Sequence, residues 1–534
     1  MFIITGTIRH NNTSSKNIII SMNPFPKKYL FFLFFVSVFY TVLITQVNIH
    51  FIKKTNPTNK ESNARSLVHN STVYSIDNYW YVNHVKNYLQ YHKFTVDVKM
   101  PLYEVRRTPI YPLFYGFHYW LFGEENSFFF IRFSQTILLA LAVLALFSGI
   151  YNFTGNKTIA LLSALLYALF PVFAMATSFT NAESISTELV CIFIYMLSLC
   201  YVHPGKKWIW FLTGISFAVT ALCRPSNVFL VFTCFFAVLH FNRYNIKNII
   251  VKGSFFAMGA LLLFAPWTIR NYKVTNGDFV FLEKYYGDPM DYGMPHIQLR
   301  SWVACWINPC NYSVEDLSNK MLVSLTIEKD TTKREEIIDS YVNNMPRRAF
   351  IGNSKEEVRG AISALYDYYK IKTSHPDKKL LAEYEKKAVE KSERLKSNFI
   401  HKSAIDYYLI TPLSFVQSII FQSNSNSMTF LDNPDSHFIK ILIKAILYLI
   451  TVAAYFSILV VLFMHRKYSP FYWLALFFIL TNFTAIIYVL RYFEARYNLP
   501  LFPFLFGLLG ISLFEVTAAV RRLLNKSDTS TSGK

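Results

Sequence analysis

Asp77 is an acidic residue in an aromatic setting, within the stretch YSIDNYWYVNHVKNY that begins at Tyr74. A carboxylate among tyrosines and a tryptophan suits a general base that acts on a hydroxyl acceptor. The aromatic rings can in addition stack on a sugar face. The same residue also fits a helix N-cap, because the apolar residues after it recur at helical spacing. Both interpretations of Asp77 stay open at this point.

Glu183 and Glu188 are two further acids, in FTNAESISTEL at the start of an apolar stretch. A charge in the middle of a membrane costs roughly 2.5–3.5 kcal/mol on insertion scales, so acids there usually serve a site. Glu183 lies nearer to water and could simply favour the helix dipole. Glu188 could be a protonated, hydrogen-bonded core residue.

Arginines collect at the predicted outer ends of apolar stretches. A guanidinium stays charged and binds phosphate bidentately, which suits a lipid-phosphate headgroup. For some of them, ordinary contact with lipid headgroups is the alternative. The arginines in question are Arg106, Arg107, Arg224, Arg270, Arg491 and Arg496.

The elements that must position these residues are membrane-spanning helices. The 534 residues are 53% hydrophobic and only 16% charged, whereas a soluble domain carries about 25% charged residues. Apolar runs of about twenty residues recur along the chain, each long enough to span a bilayer. We therefore predict an all-α polytopic bundle of about ten transmembrane helices, near 29–51, 128–150, 158–176, 183–202, 208–224, 226–241, 253–270, 437–464, 470–490 and 498–519.

The net charge of +20 is concentrated in short connectors and in the tails. This is the positive-inside pattern, and it argues against nucleic-acid binding. With ten spans, every basic connector lies inside. The apolar piece Pro109–Phe122 is too short for a crossing and would invert the later connectors, so we predict that it lies on the outer surface.

This topology predicts two segments on the outer side, and it divides the chain into five parts. Within the large outer loop, Asp377–Ser397 has i,i+4 charge pairs and predicts a solvated helix. Cys305 and Cys310 in that loop form either a small-loop disulfide or two free thiols. The parts are a cytoplasmic tail (1–28), a transmembrane core (29–270) with a first outer loop (52–127), a large outer loop (271–436), C-terminal transmembrane helices (437–520) and a second cytoplasmic tail (521–534).

The sequence contains no phosphate-binding glycine loop, no His/Cys cluster with metal-ligand spacing and no βαβ alternation. An enzyme built in this way would take its donor from the membrane.

Several motifs together resemble a known family, the polytopic GT-C glycosyltransferases. The chain is similar to bacterial relatives of the dolichyl-phosphate-mannose-protein mannosyltransferases, a group that includes lipid A aminoarabinose transferases and rhizobial core transferases. Its first-loop acid matches at Asp77, although a frequent second acid is Asn78 here. The other matching stretches are Arg107–Phe114 followed by Phe122–Gly123, Glu183 after Pro171, Arg224–Pro225, Pro266–Tyr272 and Glu494–Pro503.

The resemblance implies a bacterial inner-membrane enzyme that moves one sugar from a polyprenyl phosphate to an extracytoplasmic glycolipid, polysaccharide or protein. It implies that Asp77 deprotonates the acceptor, and that Glu183 supports it or holds a divalent metal ion. No other cofactor is expected. The implied substrate-binding residues are Arg107, Tyr111, Arg224, Arg270, Glu494 and Arg496.

Two other functions fit part of the pattern. An O-antigen ligase or polymerase also has many spans and one large outer loop, but it would take a lipid-linked oligosaccharide. A transporter usually shows repeats and charges at mid-membrane, whereas the polar residues here concentrate at one face.

Overall fold

Apolar helices make up most of the computed structural model, which describes residues 27–55, 67–68, 73–74, 76–98, 104–284, 292–308, 313–374, 377–424 and 437–531. A short antiparallel pair, Leu67–Val68 with Val73–Tyr74, is the sheet found in these residues. The α-helices are α1 Lys27–Thr55, α2 Ile76–Tyr91, α3 Ile110–Thr154, α4 Lys157–Ala168, α5 Pro171–Ala176, α6 Glu183–Val202, α7 Lys207–Cys223, α8 Leu230–Phe241, α9 Ile246–Val274, α10 Gly293–Val303, α11 Val314–Thr326, α12 Arg334–Asn343, α13 Lys355–Thr373, α14 Lys378–Lys402, α15 Thr411–Ile420, α16 His437–Leu462, α17 His465–Thr484 and α18 Phe502–Thr531.

Seven helices in the described part of the chain are long and apolar enough to cross a membrane. Three shorter apolar helices, Lys157–Ala168, Lys207–Cys223 and Pro225–Phe241, lie at the other predicted spans. The predicted fold class, an all-α polytopic membrane protein, is confirmed. The seven long helices are Lys27–His50, Ile110–Thr154, Glu183–Val202, Ile246–Val274, Lys440–Leu462, Pro470–Leu490 and Ala495–Asn525.

Two predicted element boundaries differ in the structure. The stretch 158–176 forms two helices instead of one, because Phe170 adopts an extended backbone before Pro171. The helical conformation is disfavoured for a residue that precedes proline. At the carboxyl terminus, α18 continues to Thr531, well into the predicted tail 521–534.

Helix α3 is broken at Gly123, where φ is 73° and ψ is −179°. Residues with a side chain rarely adopt this backbone, so glycine is needed here. The two arms fold back on each other, since the Tyr111 hydroxyl donates to Gln135 Oε1 at 2.9 Å although a straight helix would hold them roughly 36 Å apart. The arm 110–122 is therefore separate from the span that follows, as predicted; its position on the outer surface stays a prediction.

Helices α7 and α9 meet backbone to backbone. A Cβ at Gly214 would lie 2.0 Å from the carbonyl oxygen of Phe256, and one at Gly259 would lie 2.0 Å from that of Phe211. Small residues allow helices to approach closely where lipid supplies no hydrophobic driving force. This contact sets the position of α9 against α7.

A second apolar core lies in residues 292–410, which we call the helical domain. Helices α10 to α14 pack around Trp302, Leu365 and Tyr369, each almost fully buried. The predicted solvated helix is confirmed as α14, which Asp377 caps by accepting the Lys379 N–H. Burial raises the pKa of the Cys305 thiol to about 12. Cys310 lies outside the described residues, and the disulfide stays a prediction.

Candidate functional site

Glu183 is the first residue of α6, and its carboxylate faces two guanidinium groups. Its Oε1 lies 3.4 Å from Arg224 Nη2 and 3.5 Å from Arg496 Nη1. No side chain caps the amino terminus of α6, so a capping bond does not account for the direction of this carboxylate. The structure thus brings three of the predicted site residues together, although they are far apart in sequence.

Arg224 is held in place by the end of α7. It has an extended backbone because Pro225 follows and begins a 3₁₀ turn. Its side chain is 9% exposed, and its Nη1 is buried without a hydrogen-bond partner. Oε2 of Glu183 is likewise buried without a partner. Because buried polar atoms are nearly always bonded, this pair can receive a ligand or water on both a donor and an acceptor.

Glu494 orients Arg496 toward Glu183. It accepts hydrogen bonds from the Tyr492 hydroxyl at 2.6 Å and from Arg496 Nε at 2.5 Å. The ring of Tyr497, the residue after Arg496, lies 5.6 Å from the Arg224 guanidinium. The motif EARYNLPLFP therefore supplies one cation of the site, Arg496, and the carboxylate of Glu494 that orients it.

The segment 491–494, which we call the strap, connects this motif to the helical domain. Arg491 has a left-handed backbone (φ 46°) and donates to the carbonyl oxygens of Ala304 and Tyr407 at 3.1 and 3.0 Å. Asn308 and Phe493 bond reciprocally, at 3.3 and 3.4 Å. The helical domain thus contacts the chain immediately before Glu494 and Arg496.

Helix α2 carries Asp77 as its second residue, and it lies beside two arginines. The guanidinium of Arg106 is 3.4 Å from the Trp80 ring, and that of Arg107 is 5.2 Å from the Tyr81 ring. Positions 77, 80 and 81 share one helix face, because residues three and four apart are neighbours. The side chain of Asp77 lies outside the described residues, so its predicted role is not tested.

Tyr111 is fully buried, and its hydroxyl bonds to Gln135. Ser184, next to Glu183, donates to the same Gln135 oxygen at 2.6 Å. The Tyr111 ring also lies edge-on to Tyr81 at 5.0 Å. Tyr111 therefore packs against the same Tyr81 ring that lies near the Arg107 guanidinium.

Arg270 holds the first loop against the end of α9. It donates to the carbonyl oxygens of Glu104 and Phe94, at 2.5 and 3.0 Å, and pairs with the Glu104 carboxylate at 3.3 Å. Burial raises the pKa of Glu104, and the Arg270 guanidinium opposes this rise. Arg270 therefore positions the segment that contains Arg106 and Arg107.

Glu283 is a further acid near this site, and sequence reasoning did not single it out. Trp267 Nε1 donates to the Leu282 carbonyl at 2.7 Å, and the Lys284 N–H donates to the Val105 carbonyl at 3.0 Å. Burial raises the pKa of Glu283, while the nearby guanidinium groups of Arg107 and Arg224 lower it. The only signal in the sequence is an acid directly after the apolar run FVFL.

The carboxylates of the site offer few ligands for a metal ion. Within the described ranges, no three His, Cys, Asp or Glu side chains form a group that could hold a metal ion. Oε2 of Glu183 is one available ligand.

Part of the chain, which includes part of this site, matches a known protein family. Residues 106–269 match the dolichyl-phosphate-mannose-protein mannosyltransferases. The resemblance predicted from the motifs is confirmed over this stretch, which includes Arg107, Tyr111, Glu183 and Arg224. The match supports a membrane glycosyltransferase of the GT-C type. Asp77, Arg270, Glu494 and Arg496 lie outside the matched stretch.

Solved structures give a weaker likeness. The crystal structure of ArnT from Cupriavidus metallidurans bound to undecaprenyl phosphate is 12% identical, with a TM-score of 0.33, over 88% of this chain and 77% of that one. The apo structure of the same protein gives 12% identity and a TM-score of 0.27, over 88% and 76%. No curated protein matches the sequence.

Proposed function

We propose that the protein transfers a single sugar from a polyprenyl phosphate to an extracytoplasmic acceptor. The observation that carries the proposal is the Glu183–Arg224–Arg496 cluster at the mouth of α6, with a buried donor and a buried acceptor that lack protein partners. A phosphate oxygen is the partner that a buried guanidinium N–H suits best. The match of residues 106–269 to the dolichyl-phosphate-mannose-protein mannosyltransferases supports a donor of this class.

In the proposed reaction, the acceptor hydroxyl oxygen attacks the anomeric carbon of the sugar. The bond from that carbon to the phosphate oxygen breaks, and its electron pair stays on the phosphate. The hydroxyl proton passes to Asp77, and a single displacement inverts the anomeric centre. Arg107, Arg224 and Arg496 stabilise the charge that develops on the leaving phosphate.

The remaining predicted residues have supporting roles in this proposal. Glu494 aims Arg496, and Arg270 holds the first loop that presents Arg107. Tyr111 packs against the Tyr81 ring and helps to hold it in position. Glu183 holds Arg224 and Arg496 on one carboxylate oxygen, at 3.4 and 3.5 Å, and it could also ligate a divalent ion. No step of the reaction is assigned to such an ion.

The test uses purified full-length protein in lipid nanodiscs. We expect sugar release from members of a panel of polyprenyl-phosphate sugars, and none from the corresponding nucleotide sugars. We also expect binding of undecaprenyl phosphate alone, which requires no knowledge of the sugar. Turnover of a nucleotide sugar without any lipid donor would overturn the proposal, as would failure to bind undecaprenyl phosphate. Turnover of lipid-linked oligosaccharide alone would favour a ligase.

A further inference from the structure

We propose that residues 411–424 form a re-entrant segment, which enters the bilayer from the side of the helical domain and contacts lipid acyl chains. The segment consists of α15 and the four residues that follow it. The sequence alone places these residues in a loop outside the membrane. The proposal concerns how the chain meets the lipid, and it is independent of the proposed reaction.

The depth of the segment follows from its contact with α16. Asn424 Nδ2 donates to Thr451 Oγ1 at 3.2 Å, and Thr451 is the twelfth residue of the span Lys440–Leu462. With a rise of 1.5 Å per residue, Thr451 lies about 17 Å from Lys440 and about 10 Å beyond Lys444. The hydrocarbon core is about 30 Å thick, so Asn424 lies inside it by either measure.

Phe421 gives the same depth from a second contact. Its ring lies 6.4 Å from that of Tyr448 and 6.5 Å from that of Phe456, centroid to centroid. These two residues are eight positions apart on α16, and Phe421 therefore lies beside the middle of the span. The chain after Asn424 has 12 residues, 425–436, to reach the start of α16. Fully extended, they span up to about 40 Å, roughly twice the distance of about 21 Å along α16 from Thr451 to His437.

The two faces of α15 show what surrounds it. Phe415 and Ile419 are fully buried in the transmembrane core. On the other side, Leu413 is about half exposed and Gln417 is the polar exception; Phe421, which follows α15 and lies beside α16, is also about half exposed. A face that is apolar and uncovered in this way suits lipid better than water.

The exposed apolar surface continues onto a spanning helix. Tyr488 and Val489, at the end of the span Pro470–Leu490, are 50% and 74% exposed. The Tyr488 hydroxyl donates to the carbonyl of Tyr408 at 3.3 Å, directly before α15. Asp406 is the only charged residue between 404 and 424 in the sequence, and its carboxylate bonds to Arg348 of the helical domain. Lipid that surrounds this spanning helix therefore also contacts the exposed face of α15.

Polar groups at this depth must be satisfied by protein, since lipid supplies no hydrogen bonds. The Gln422 side chain donates to the Ile419 carbonyl at 3.1 Å, and the Phe421 N–H donates to the Gln417 carbonyl at 2.9 Å. Asn424 bonds to Thr451, as described. These bonds satisfy part of the polar groups at the end of the re-entrant segment, and Asn424 Oδ1 is the buried atom there without a hydrogen-bond partner.

Site-directed spin labelling of the full chain in nanodiscs tests the proposal. Single cysteines would replace Leu413 and Phe421, in a Cys310→Ser background whose other cysteines are buried. The matched controls are Leu449, an exposed residue near the middle of the α16 span, and Lys386, an exposed residue of α14. Each label is probed with oxygen, which partitions into lipid, and with a water-soluble nickel chelate.

We expect the labels at 413 and 421 to resemble the label at 449, with 421 deeper than 413. Nickel accessibility at both positions as high as at 386 would overturn the proposal. Gln417, an exposed residue of α15, serves as a further labelling position if the Phe421 variant does not fold. Size-exclusion chromatography and thermal unfolding identify folded variants before labelling.

Discussion

Replacing Arg224 by glutamine should weaken lipid-phosphate binding while the fold remains intact. The side chain is 9% exposed and presents a buried Nη1 without a protein partner, so a ligand phosphate would complete its hydrogen bonding. A hydrogen bond to a charged group contributes about 1.5–3 kcal/mol. Because each 1.4 kcal/mol is a tenfold change in affinity, we expect Kd for undecaprenyl phosphate to rise by about 10- to 150-fold.

The fold should survive because Glu183 retains Arg496 at 3.5 Å after the substitution. Kd would be measured by calorimetric titration of undecaprenyl phosphate into detergent-solubilised protein. Arg394→Gln, on the exposed face of α14, is the matched control and should bind as wild type does. If Arg224→Gln unfolds at the wild-type temperature and its Kd changes by less than about threefold, below about 1 kcal/mol, Arg224 does not bind the phosphate.

Three further substitutions test separate parts of the structure. Asp77→Asn should lower turnover by at least about 100-fold with unchanged donor affinity, and more than about a tenth of wild-type turnover would exclude Asp77 as the base. Gly123→Ala should destabilise the fold by about 1–3 kcal/mol and lower Tm, because φ at this position is +73°. Gly205 also has open space around it, and Gly205→Ala should leave Tm unchanged; equal Tm values for the two variants would contradict backbone strain at Gly123. Gly259→Ala should lower Tm, because the added methyl group overpacks α7 against α9. Gly253, on the same helix, has room for a methyl group, so a lower Tm for Gly253→Ala than for Gly259→Ala would contradict the close contact.

The sequence predicted the elements well because membrane helices have a strong local signal. Apolar runs of about twenty residues located the spans, and charge pairs located α14. The break before Pro171 was missed because the apolar composition continues through it. In that case the hydropathy favours one helix, while proline sterics divide it into two.

The site was partly predictable for a different reason. Glu183, Arg224 and Arg496 each lie at the same predicted face of the membrane, and the structure brings them within 3.5 Å contacts. The partners of Arg270 and the position of Glu283 depend on contacts between distant segments, which leave no periodic pattern in the sequence. Arg270 illustrates this, because an arginine at a membrane boundary looks the same whether it binds phosphate or a carbonyl oxygen of its own chain.

The strap attaches to the helical domain at residues that lie near the beginning and the end of the domain's sequence. Its contacts come from the two ends of the domain, with Ala304 and Asn308 at one end and Tyr407 at the other. A chimaera that grafts a foreign insert in place of residues 313–402 would leave these attachment points untouched. Such a chimaera should therefore keep Arg496 beside Glu183.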